Sequence, residues 1–221
     1  MFTVGPAFWG GEEGDPYWSY VKTLLHFDGD LTDMGSGATS FGNTGGAVLS
    51  TTNTKFGAGS LDCTASADAR CFGSGNGVGI GTGDFCLELW FYDPSSTGNQ
   101  YVLLHSGTDS IRVITDFSGG LTVDLTGVSP VGYFSYSYAS WNHLAITRSG
   151  NSWKTWLNGV EVQSWTNSTH NGGGSASFWI GSGSSSATGM RLLIDDLRLT
   201  VGVPRYTSTF TPSGPFPNRG L

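Results

Sequence analysis

Short runs in which apolar and polar residues alternate recur along most of this chain. In DFCLELWFYDP at 84–94, Phe85, Leu87, Leu89 and Phe91 share one parity and Cys86, Glu88, Trp90 and Tyr92 the other. Side chains alternate across a strand, so such a run predicts a β-strand with one face in a core. VKTLLHF at 21–27, YVLLH at 101–105, IRVITDF at 111–117, LTVDL at 121–125 and YFSYSY at 133–138 are further strand candidates. WNHLAITR at 141–148, SWKTWL at 152–157, VEVQSW at 160–165, SFWIGS at 177–182 and RLLIDDLRLTV at 191–201 continue the series. Turns rich in Gly, Ser, Pro or Asp separate these runs, and no helical period of useful length appears. Many short strands with regular turn signals predict an all-β, antiparallel sandwich or barrel.

One hairpin can be read residue by residue. Asn158-Gly159 sits between two alternating runs and suits a two-residue turn whose positions both need φ > 0. That turn pairs Leu157 with Val160, Thr155 with Val162 and Trp153 with Ser164. The face holding these six is mostly apolar and reads as core. The opposite face holds Lys154, Trp156, Glu161, Gln163 and Trp165. Trp153 is therefore expected between the sheets, and Trp156 and Trp165 on a polar face. Indoles there could stack on a sugar, or be covered by other chain or by a subunit interface.

Composition narrows the class. Charged residues are 12% of the chain against a usual ~25%, while aromatics are 13%. That profile fits an ordered domain with polar, glycine-rich turns and not a disordered chain. The net charge of −7 leaves no basic stripe for nucleic acid. No apolar run is long enough to span a bilayer, and the N-terminal residues lack the basic and apolar regions of a secretory signal. Three cysteines make no disulfide framework; Cys63 and Cys71 could pair across a short loop or stay buried thiols.

Residues 1–20 differ from the rest. Phe2, Phe8, Trp9, Tyr17, Trp18 and Tyr20 stand among glycines without a period. Such a segment is either an arm folded back on the domain or one that docks to a partner chain. Phe8, Trp9 and Trp18 are the candidate partner contacts. GSGNGVGIGTG at 73–83 does not fit a dinucleotide fingerprint and reads as a mobile loop.

Six blocks, in order, carry a resemblance. They are LLHFDGD at 24–30, KFGAGSL at 55–61, GTGDFCLELWFYDP at 81–94, WNHLAITRSGNSWKTWLNGVEV at 141–162, WIGS at 179–182 and IDDLRLTVGVPRYTSTFTP at 194–212. Over about residues 20–217 the chain resembles the laminin G-like domains of the concanavalin A-like jelly-roll superfamily. The wording is most similar to the versions in bacteriophage tail, fibre and other virion proteins. The resemblance implies two antiparallel sheets face to face, a binding or structural module commonly for carbohydrate, and often a structural calcium ion. It divides the chain into an arm at 1–20, the jelly roll at 21–217 and a tail at 218–221.

Calcium has support from parity as well. Asp195 shares parity with Leu193, Leu197 and Leu199, and an inward carboxylate is costly unless paired, hydrogen-bonded or metal-bound. Asp28 occupies the family position beside the first strand. Asp28 and Asp195 are thus the expected Ca2+ ligands, with backbone oxygens near Gly29 or Gly59. The alternative for Asp195 is hydrogen bonding to backbone amides.

Enzyme chemistry has little support. Glu88 stands alone on its strand, where glycoside hydrolysis usually needs two placed carboxylates. His26, His105, His143 and His170 are scattered, and no metalloprotease, nucleophile-elbow or Walker motif occurs. The expectation is a non-enzymatic virion protein, assembled in the host cytoplasm, with a lectin-like domain. Trp156 and Trp165 would bind carbohydrate for host or surface attachment. Its partners would be other virion proteins and a cell-surface glycan, with homo-oligomerisation left open and with no nucleic acid or membrane. The alternative is a head or tail decoration protein anchored by its arm, without sugar binding.

Overall fold

The computed structural model describes residues 14–66, 68–94, 100–115, 120–126, 133–182 and 192–220. Its strands are β1 (Val21–Leu25), β2 (Phe41–Thr44), β3 (Val48–Ser50), β4 (Ser60–Asp62), β5 (Arg70–Gly75), β6 (Phe85–Tyr92), β7 (Gln100–Ser106) and β8 (Ser110–Thr115). Then follow β9 (Gly120–Leu125), β10 (Phe134–Ser135), β11 (Trp141–Ser149), β12 (Ser152–Leu157), β13 (Val160–Thr166), β14 (Ala176–Ile180) and β15 (Leu193–Val201).

They form two antiparallel sheets. The eight-stranded sheet runs β13-β12-β11-β6-β15-β4-β3, with β1 also paired to β15. The seven-stranded sheet runs β10-β9-β8-β7-β14-β5-β2. Between them lies one core, with Phe85, Leu87, Leu89 and Phe91 of β6 facing Ile111, Val113, Leu121, Val123, Phe178 and Ile180. The alternation read from the sequence thus places β6, β8, β9 and β14 as expected. Full burial of such side chains stabilises by ~1.5–3 kcal/mol each.

Two β-bulges shift the parity on which site residues were read. The Asn158-Gly159 turn forms, with φ of 50° and 81° and Leu157 opposite Val160. The register then slips between Thr155 and Trp156, so that Trp153 pairs with Trp165, not with Ser164. An extra residue on one strand turns every later side chain to the other face. Trp165 therefore joins the inner side, its ring stacked on Trp153 at 5.7 Å and 24°. The second bulge lies between Asp195 and Arg198, where Asp196 has φ 41°. Ile194 and Leu197 face the core, whereas Asp195 pairs with outward-facing Trp90. Asp195 is thus not an inter-sheet carboxylate.

The outer face of the eight-stranded sheet is covered by the chain's own ends. Trp18, in a 3-10 turn at Trp18–Tyr20, packs with Val21, Leu24, Trp90 and Phe216. Asp15 bridges to Gly220 and bonds both Arg198 and Arg205. Tyr206 and Phe210, stacked at 3.5 Å, close over Cys86, Ala145 and Trp156. The described part of the arm, from residue 14, is therefore folded back on the domain, and within it Trp18 is half-buried against the sheet. Phe8 and Trp9 lie outside the described residues.

The glycine-rich 73–83 stretch is not a free loop. It ends β5, turns at Asn76–Val78 and buries Val78 and Ile80 in the core. Its glycines permit close backbone approach: a Cβ on Gly79 would lie 2.4 Å from the Gly174 carbonyl oxygen. Cys63, Cys71 and Cys86 are buried free thiols, and burial pushes the Cys71 thiol up to about 12.

Candidate functional site

With much of the eight-stranded sheet covered by Tyr206, Phe210 and Phe216, the outer face of the seven-stranded sheet is a second candidate surface. Cys71 and Phe178 point into the core, so their neighbours Phe72 on β5 and Trp179 on β14 point out. Strand pairing sets Trp179 directly opposite Phe72, and their rings meet at 5.1 Å and 50°. Both are half-buried. Pairing extends this into one row across the sheet: Gly42, Phe72, Trp179, Leu104, Arg112 and Asp124. At its Gly42 end the row is open, since a Cβ there would meet nothing within 4 Å.

The polar end of the row is an ion pair. Arg112 Nη2 donates to Asp124 Oδ2. The Arg112 side chain keeps 42% of its exposure and Asp124 only 8%, so an approaching ligand meets the guanidinium first. One step along β9, Thr122 is 6% exposed and its hydroxyl oxygen has no hydrogen-bond partner. Arg70, on the Phe72 strand and the same face, reaches Ser182 at 3.3 Å. Aromatic faces beside buried or tethered polar groups suit a ligand with an apolar side and hydroxyls around it.

Of the residues expected from sequence to bind sugar, neither lies on this face. Trp156 is fully buried under Phe210, its indole donating to Thr147 Oγ1 at 3.0 Å. A ring with no exposed face cannot stack on a sugar, so that expectation is corrected for Trp156. Trp165 is half-buried against Trp153, because of the bulge. The residues that sequence reasoning missed, Phe72 and Trp179, carried a usable signal. In RCFGSG and ASFWI each aromatic has the opposite parity to a neighbouring apolar core residue.

The expected calcium ligands sit close together but are used otherwise. Asp28 Oδ1 accepts from the amides of Ala58 and Gly59 at 2.6 and 2.9 Å. Asp195 Oδ2 accepts from the amides of Lys55 and Phe56 at 2.7 and 3.1 Å, and its Oδ1 from Asp196 at 2.8 Å. Both carboxylates therefore pin the 55–59 loop to the sheet, as the amide alternative for Asp195 has it. Oxygens that face N–H dipoles are poorly disposed toward a cation. Among the described residues no three His, Cys, Asp or Glu groups converge as a metal cage. As arranged, these side chains do not fit a resident calcium ion. Burial raises the Asp195 carboxyl to about 7. Nearby, His26 Nδ1 lies 2.5 Å from Asp196 Oδ1. Burial opposes the charged imidazole, but the bond and charge of Asp196, with Asp28 and Asp195, raise its pKa.

Glu88 is not alone in space. It bonds Arg198 at 2.8 Å, Tyr206 at 2.8 Å and His143 at 3.2 Å. Burial disfavours its ionised form, yet Arg198, His143 and Arg205 hold it well below the usual carboxylate range. The group is buried beneath the C-terminal segment. It ties that segment to the sheet and has no route to a substrate.

The model of a family described as the concanavalin A-like lectin/glucanases superfamily, Laminin_G_3, matches residues 65–201, more than half of the chain. No curated protein matches its sequence. Among solved structures, Domain 4 of AbnA, a GH43 extracellular arabinanase from Geobacillus stearothermophilus in complex with arabinotriose, is similar at a TM-score of 0.64 and 18% identity. The match covers 86% of this chain and 94% of that one. A botulinum neurotoxin type C structure, described by cell entry dependent on two ganglioside molecules, is similar at 0.63 and 14% identity, over 83% and 48%. The binding domain of Paraclostridial Mosquitocidal Protein 1 is similar at 0.66 and 13% identity, over 83% and 49%. The chain spans about half the length of these two toxin chains. At such identities the likeness is one of fold.

Proposed function

The chain belongs to the concanavalin A-like lectin/glucanases superfamily, and from that premise we propose that it is a non-enzymatic, lectin-like domain that binds carbohydrate on the outer face of its seven-stranded sheet. The observation that carries this reading is the Phe72–Trp179 pair, set in one cross-strand row with Arg112 and Asp124. Pyranose and furanose rings present C–H groups that suit the electron-rich aromatic face, and the neighbouring polar groups can bond hydroxyls. Two proteins of the same fold add support, one solved with arabinotriose and one described with gangliosides.

A finer proposal places the domain on a bacteriophage virion, in a tail, fibre or surface protein that attaches to host or environmental glycans. Its support is the order and wording of the six sequence blocks, and localising the chain in assembled particles tests it. The binding reading is tested by glycan-array screening of the full chain, followed by titration of the best hit. Trp179→Ala should weaken that hit at least tenfold while the protein stays folded, with a melting temperature lowered by no more than about 5 °C. Undiminished binding by Trp179→Ala and Phe72→Ala would overturn the reading.

A further inference from the structure

Resting on the reading above, we infer that this face selects carboxylated glycans, such as those built from uronic or sialic acids, with Arg112 as the group that receives the carboxylate. The ion pair is asymmetric. Asp124 turns its charge toward Arg112 and is nearly closed to solvent, while the guanidinium side chain is 42% exposed. A guanidinium has five donors in a planar fork, and Asp124 engages Nη2. The remaining donors suit a second carboxylate in a bidentate geometry that a neutral hydroxyl cannot match.

Position supports the same choice. Arg112 lies two strand spacings from Trp179, about 10 Å at the backbone. A sugar stacked on Trp179 thus places its neighbour in the glycan chain, across Leu104, over the arginine. Arg70 adds a second positive charge at the Phe72 side of the row. Among the described strand residues of this face, Asp124 is the single acidic group, against two arginines. The chain as a whole carries −7. That global charge is screened beyond ~8 Å at physiological ionic strength, so the local arginines govern contact.

The experiment compares each acidic probe with its neutral counterpart on the full chain by calorimetry. The pairs are oligogalacturonate with its carboxyl-reduced form, and sialyllactose with lactose. At least one carboxylated probe should bind tenfold or more tightly than its partner, and the preference should shrink between 0.05 and 0.5 M NaCl, as expected for roughly one charge pair in water. Arg112→Gln should abolish the preference while leaving neutral binding in place. Asp124→Asn, which frees the guanidinium, should preserve or raise carboxylate binding, and it serves as the second variant if Arg112→Gln unfolds. Equal binding of both members of each pair, insensitive to both variants but lost in Trp179→Ala, would overturn the carboxylate choice and leave the platform standing. Binding of neither class, or binding indifferent to Trp179→Ala, would overturn the platform and this inference together.

Discussion

Three tryptophans within thirteen residues have three different surroundings. Trp153 is enclosed between the sheets, touching Phe85 and Trp165. Trp156 is as buried as Trp153, but beneath the C-terminal segment on the other side of the sheet. Trp165 is half-exposed. Truncating either buried ring should cost ~3–5 kcal/mol, so Trp153→Ala and Trp156→Ala should destabilise alike in urea unfolding. Trp179→Ala removes a half-buried ring from an open face and should cost under ~1.5 kcal/mol, from partial loss of buried area. A Trp156→Ala protein as stable as wild type would mean that the covering segment does not pack as described.

Asp195 gives a second prediction at this scale. Its folded carboxyl is raised to about 7 from an ordinary 3.8. A raised acid contributes least cost when protonated in both states, at pH below ~4, and the cost is complete once pH passes the folded value. Stability relative to Asp195→Asn should therefore fall between pH 4 and 7, by up to ~4 kcal/mol at ~1.4 per unit. A bound calcium ion would hold the carboxylate ionised and reverse that slope. The amide-bonded arrangement expects the falling slope, and a melting temperature indifferent to chelators. A rising slope, or a melting temperature that drops with EGTA, contradicts it.

At the scale of strands, alternation in β6, β8, β9 and β14 was readable directly, because each has one face in the core and an unbroken period of two. The Asn158-Gly159 turn was readable for the same local reason. The errors came from bulges. Nothing in VEVQSW or LIDDLRL announces an extra residue: β13 bulges against its own hairpin partner β12, and β15 against β6, which is distant in sequence. Parity counted across a bulge then assigns the wrong face, which misplaced Trp165 and Asp195. Trp156 failed differently. Its face was read correctly as the outer one, but local alternation does not show that residues 206–210 return to cover it.

The covering segment makes its own prediction. Its anchor is the buried group of Glu88, Arg198, Arg205, Tyr206 and Asp15. Removing one partner strands the others without solvent, so Glu88→Ala should cost ~3–5 kcal/mol. The exposed Lys154–Glu161 pair is a control, worth ~0–1 kcal/mol. A Glu88→Ala loss no larger than that of Lys154→Ala would show that the segment is held by apolar packing alone.

For the molecule as a whole, fold and family were legible because they rest on many independent runs and on the order of six blocks. The ligand face was less so, since it is assembled from six strands that only the sheet order brings into one row. One sheet is closed by the chain's own termini and the other presents Phe72, Trp179 and Arg112. That division is the central claim, and indole N–H mapping by NMR during titration with a glycan-array hit tests it most directly. Eight tryptophans give eight indole probes. The Trp179 signal should move with the binding isotherm while those of Trp153 and Trp156 stay fixed. Movement at Trp165 or Trp141 with Trp179 unmoved would contradict the account.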